Sequence, residues 1–81
     1  GMEKGQDIEE IELLNTSLED IRIIDLLLPT DIVILSIKRD QNTILTNKYS
    51  RLKCHDIITI AGSEQSILEC EIKFSNNQTN Q

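Results

Sequence analysis

The segment Ile32-Val33-Ile34-Leu35-Ser36-Ile37-Lys38-Arg39 constrains the fold more than any other part of the chain. Its apolar side chains fall on both sides of an alternating pattern, with Ile32 and Ile34 on one and Val33, Leu35 and Ile37 on the other. A strand of this kind belongs inside a sheet, covered on both faces. Asp40-Gln41-Asn42 then supplies turn chemistry, and Thr43 to Leu45 reads as a short return strand that completes a hairpin.

The flanking segments give the strand something to pair with. Ile8 to Leu14 alternates apolar and acidic residues, as a strand with one wet face does. Asn15-Thr16-Ser17 stops it. Ser17, followed by Asp20, matches a helix start, so a short helix is expected from about Leu18 to Leu26, ending before Pro29. Thr46 to His55 is polar and irregular, anchored by Leu52. Ile57 to Ile60 reads as a strand, and Ala61-Gly62 ends it. Ser63 to Gln65 reads as a turn or a single helical turn. Leu68 to Phe74 alternates cleanly and reads as a half-buried strand. The expected class is α+β: a small antiparallel or mixed sheet with one or two short helices, in the order β-α-β-β-β-(α)-β. The folded domain is expected over residues 8–74, with residues 1–7 and 75–81 as loose polar termini.

Composition removes several classes of function. A net charge of −6 and the absence of any basic run argue against nucleic acid as a partner. The longest apolar run, Ile23 to Leu28, contains Asp25 and is far too short to cross a bilayer, so no direct membrane insertion is expected. Cys54 and Cys70 are too far apart for a paired-thiol site and read as two reduced thiols of a cytoplasmic protein. His55 is the only histidine, and no motif places a nucleophile beside it, so the chain does not read as an enzyme. No metal site is expected: one histidine and two distant cysteines do not make a zinc site, and Glu9, Glu10 and Glu12 read as a solvated strand face. Asp56 is expected to order the turn before its strand by accepting backbone N–H groups.

An 81-residue chain hides only about two-thirds of the surface its unfolded form exposes. The expected first helix is apolar on more than one side, which asks for a second covering surface. That surface is either a partner subunit or the rest of a transporter; with the partner subunit favoured, Ile23, Ile24 and Leu27 on that helix, with Val33, Leu35 and Ile37 on the strand, are the expected dimer interface. Lys38 and Arg39, followed by Asn42 and Thr43 in the turn, are the best candidates for holding a small anionic ligand.

Taken in order, these parts resemble the C-terminal (TrkA-C) domain of the regulators of potassium conductance, or RCK domains. The likeness runs through the acidic-apolar strand Ile8–Leu14, Ser17-Leu18, Leu26-Leu27-Leu28-Pro29, the strand Ile32–Arg39, Leu52, and Asp56-Ile57-Ile58-Thr59-Ile60-Ala61-Gly62. It departs from the family pattern at Glu19, at His55 before Asp56, and at Thr46, where the family often carries glycine, glycine and proline. The resemblance implies a cytoplasmic, homodimeric module that regulates a membrane transporter or channel, with potassium as the transported ion. It also implies a dimer cleft that holds a small anionic effector, cyclic di-AMP in some relatives. A dimerisation and docking module with no small ligand is the alternative. No GxGxxG is present, and no nucleotide cofactor is expected.

Overall fold

The computed structural model describes residues 6–76. Four strands, β1 (Asp7–Glu12), β2 (Val33–Arg39), β3 (Asn42–Ile44) and β4 (Ile57–Gly62), form one antiparallel sheet in the order β1-β4-β2-β3. Among the described residues one α-helix, α1 (Glu64–Ser75), follows β4 and packs on one face, against β1 and β4. The α+β class and the antiparallel sheet agree with the sequence. Within the expected loose termini Asp7 opens β1 and Ser75 closes α1, flanked by Gln6 and Asn76, while residues 1–5 and 77–81 lie outside the described residues.

Two segments differ from expectation. Residues 18–26 do not form an α-helix; they hold two short 3-10 turns, Thr16–Leu18 and Ile23–Asp25, separated by a turn at Glu19-Asp20 and by extended backbone at Arg22. Asp20 takes a positive φ of 67°, which interrupts any helix, and β-branched Ile21, Ile23 and Ile24 favour extended geometry. The backbone groups released by this break are satisfied by residues 48–52: Ile23 N–H donates to the Ser50 carbonyl, and Ile24 N–H to that of Lys48. Residues 68–74 are not a strand but the body of α1. Its buried residues are Ser66, Ile67, Cys70 and Phe74, a helical spacing that the fortuitous alternation of Leu68, Cys70, Ile72 and Phe74 conceals.

The core joins Ile11, Ile37, Ile58 and Ile60 of the sheet to Ile67, Cys70 and Phe74 of α1, with Leu13, Leu26 and Leu52 closing it from the connections. Both ends of α1 are tied down. At its N-terminus Ser63 accepts from Ser66 N–H at 3.2 Å. Asp31, from the segment before β2, accepts from Ser66 Oγ at 2.6 Å and from Ser63 N–H at 3.0 Å. At its C-terminus Asn15 donates to the Lys73 carbonyl at 2.9 Å, and both Leu14 and Asn15 N–H donate to that of Phe74. Gly62 is fixed by close approach: a Cβ there would stand 2.7 Å from Ile32 Cδ1 and 3.3 Å from the Asp31 carbonyl. The β2–β3 hairpin turns on Asp40 and Gln41 alone, with φ of 52° and 69°, as a two-residue hairpin loop requires.

The hydrogen bonds from Ser66 and then Ser63 hold the Asp31 carboxyl at about 2, below its ordinary value of 3.8. A depressed value means that its stabilising contribution is complete above pH 3.8 and is lost as the pH falls through about 2. Asp31→Asn is therefore expected to lower the thermal midpoint near neutral pH. The gap from the parent protein should close as the pH drops through that window. An undiminished gap at the acid end would show that the carboxylate is not its source.

Candidate functional site

Directly paired residues of an antiparallel ladder share a face, so the register sorts the sheet. Ile34 with Ile60, Ile11 and Ile37 with Ile58, and Arg39 with Asn42 fall on the side of α1. Val33 and Ile8 with Ala61, Ser36 and Glu10 with Thr59, and Lys38 with both Ile57 and Thr43 fall on the other side. On that outer face Val33 remains 56 % and Ile8 64 % exposed.

A register shift between Ile34 and Ser36 decides which residues of β2 reach which face. Two residues of β2 are set against one step of β4 there, a β-bulge. Strict alternation would place Ile37 with Val33 and Leu35. The extra residue changes the phase, so Leu35 stays 52 % exposed while Ile37 is sunk in the core at 1 %. Ile37 is therefore not available to an interface, and this corrects the expectation. Of the other expected interface residues, Ile24 and Leu27 are exposed, Leu27 at 88 %, and Ile23 is half-buried against the core. Leu45, which follows β3, is fully exposed and was not anticipated; only the end of the short strand at Ile44 reveals it.

The four expected ligand residues do not act together. Lys38 and Thr43 are cross-strand neighbours on the outer face, both exposed. Asn42 is exposed and donates to the Asp40 carbonyl at 3.2 Å within its own turn. Arg39 faces the opposite way and is committed inside the fold. Its Nε and Nη2 each donate to Asp56 at 2.8 Å, and Nη2 also reaches the Arg51 carbonyl at 3.0 Å. Asp56 is 1 % exposed and accepts from Lys53 N–H at 2.9 Å, ordering the turn as expected. The Asp56 hydrogen bonds raise the Arg39 guanidinium's pKa further above its ordinary value. Releasing Arg39 to a ligand would leave a buried carboxylate without its cation, so Lys38 is the cation of this pair left to meet an anion.

The remaining candidates are accounted for by local structure. His55 has φ of 74°, the left-handed conformation that glycine adopts readily, and its Nδ1 lies 2.9 Å from Glu12 Oε2. Its backbone N–H donates to Leu13, so the turn is held despite the side chain. Hydrogen bonding to Glu19 raises the Cys54 thiol's pKa, and burial raises that of Cys70, which leaves both poor nucleophiles. Among the described residues no group of three His, Cys, Asp or Glu is placed to hold a metal ion. A recess of about 240 Å³ between β1 and α1 is lined by Asp7, Glu9, Glu64, Glu71, Ile67 and Leu68. Its carboxylates repel anions, so an anionic effector does not belong there. Among the described residues no helix is long and apolar enough to cross a membrane.

Arg39→Ala strips the cation from buried Asp56. The expected loss is about 3 kcal/mol, at the low end for a broken buried pair because Arg39 retains some solvent contact. Arg39→Lys should recover only part of it, since an ammonium cannot make the two-pronged contact. Urea unfolding of the three proteins checks this, and full recovery by lysine would reduce the pair to a simple charge contact.

No family model and no curated protein matches the sequence. Among solved structures, one described as an RCK domain with cda superposes with a TM-score of 0.78 at 22 % identity, covering 83 % of this chain and 96 % of that one. The chain has the fold of an RCK domain.

Proposed function

We propose that this chain is a regulatory, non-catalytic module of a cation transport system, with potassium as the transported ion. Its domain, residues 8–74, forms a homodimer in the cytoplasm and works beside a membrane transporter or channel subunit. A small anionic effector such as cyclic di-AMP binds at the dimer cleft. The observation that carries this reading is the pairing of Lys38 with Thr43 on an uncovered sheet face, in a fold shared with an RCK domain described with cda. Lys38 offers a point charge and Thr43 a hydroxyl on the same face of the hairpin, whereas Asn42 lies on the other face and plays no part. An effector that prefers one arrangement of the two copies shifts the population toward it, and that shift is the signal passed to the transporter.

The exposed apolar residues supply the reason for dimerisation. Burying an apolar side chain such as Ile24, Leu27, Val33 or Leu35 contributes up to about 1.5–3 kcal/mol, a large gain for a core this small. Those residues also support the alternative, a dimerisation and docking module with no small ligand, and calorimetry separates the two.

Sedimentation equilibrium should give a dimer, and Leu35→Glu should give a folded monomer, since Leu35 is outside the core. A strictly monomeric parent protein would defeat the reading. Titration calorimetry with cyclic di-AMP should register binding that Lys38→Ala weakens by at least about tenfold, as loss of a charged hydrogen bond does. An intact dimer that takes up no nucleotide would leave the docking module.

A further inference from the structure

The break in the expected first helix builds a second feature, on a surface separate from the Lys38–Thr43 pair. Residues 20–24 run antiparallel to residues 48–52, joined by the bridge between Arg22 and Arg51 and by four backbone hydrogen bonds. Asp20 N–H donates to Leu52, Leu52 N–H to Ile21, Ile23 N–H to Ser50 and Ile24 N–H to Lys48. The bridge sets two arginines directly opposite one another, an arrangement that costs stability in a paired ribbon. Tyr49, 57 % exposed, has the Lys48 ammonium 5.4 Å and the Arg22 guanidinium 6.0 Å from its ring centre. Its loop is fixed: Tyr49 N–H donates to the Asn47 side chain at 2.8 Å, and Asn47 N–H to Ser50 Oγ at 2.9 Å.

Charge on the ribbon runs against that of the whole chain. Arg22, Lys48 and Arg51 outnumber Asp20, and Asp20 is already matched by Lys53, while the chain as a whole carries −6. Arg22 pairs with Asp25 at 2.8 Å across an exposed i,i+3 spacing, a weak and exchangeable contact. Among the described residues neither Lys48 nor Arg51 is in an ion pair; Arg51 Nη1 donates only to the Asp20 carbonyl, at 2.7 Å. A rigid exposed tyrosine ringed by cations has the composition of an interface anchor. The ring already carries cations, which favours carboxylates arriving from outside over a stacking base.

We propose that the ribbon of residues 20–24 and 48–52, through Tyr49, Lys48, Arg22 and Arg51, is the docking surface for an acidic segment of a partner protein. Carboxylates of that segment meet Lys48 and Arg51 and compete with Asp25 for Arg22, and an apolar side chain rests against Tyr49. The surface is independent of the effector reading, since Lys38 takes no part in it.

The test uses the full chain and a fluorescein-labelled glutamate-rich decapeptide with one central phenylalanine, followed by fluorescence anisotropy. The expected result is saturable, salt-sensitive binding. Lys48→Ala and Tyr49→Ala should each weaken it several-fold and together at least about tenfold, whereas Lys38→Ala leaves it unchanged. Neither Lys48 nor Tyr49 lies in the core, and circular dichroism confirms the fold of each variant. Absence of binding up to about 1 mM peptide, equal binding by the Tyr49→Ala protein, or displacement of the peptide by a short oligonucleotide at lower concentration would each overturn the proposal. Loss of cyclic di-AMP binding alone would overturn only the effector reading.

Discussion

The bidentate pair between Arg39 and Asp56 is the interaction on which the rest of the molecule depends. Asp56 is nearly sealed from solvent at the start of β4, and a carboxylate there is tolerable only with a cation and further donors. Arg39 supplies the cation from the end of β2, Lys53 N–H adds a donor, and the Asp56 carbonyl accepts from Leu13 N–H. One residue thus fixes the end of β1 through its carbonyl, and the end of β2 and the loop that delivers β4 through its side chain. Through the Arg51 carbonyl, the same guanidinium reaches the ribbon that replaces the expected helix. Lys53 extends the network to Asp20, and Glu19 accepts the Cys54 N–H at 2.6 Å, so the segment after β1 is bound to the loop before β4 along its length.

That commitment shapes what the surface can offer. With Arg39 turned inward, the positive charge left to the outer face of the β2–β3 hairpin is Lys38, beside Thr43. The bulge in β2 acts in the same direction on the apolar residues. By shifting the phase after Ile34 it gives Ile37 to the core and leaves Val33 and Leu35 outside. A small domain gains one more core isoleucine and keeps an uncovered apolar strip, both from a single extra residue.

Much of this was legible in the chain. The strand Val33–Arg39, its hairpin, the strand Ile57–Gly62 and the ordering role of Asp56 follow from alternation and turn chemistry, which depend on neighbours a few residues away. The helix Glu64–Ser75 was hidden because Leu68, Cys70, Ile72 and Phe74 alternate like a strand, although Ser63 ahead of Glu64 carried the start signal. Residues 18–28 misled in the opposite sense: a serine start and a proline stop framed an apolar run whose backbone hydrogen bonds go instead to residues 48–52.

The sequence by itself determined the α+β class, the two inner strands, the tight turn at Asp40-Gln41 and a supply of apolar side chains larger than one small core can hide. These are local properties, written in periodicity and in the backbone preferences of single residues. Tertiary structure alone decided that Arg39 belongs to Asp56, that a bulge draws Ile37 inward, and that Arg22 faces Arg51 beside an exposed Tyr49. Each joins residues distant in the chain or turns on a phase shift of one residue. Pattern fixes which side chains are apolar or charged, whereas the face each one occupies depends on a pairing register set by the packed whole.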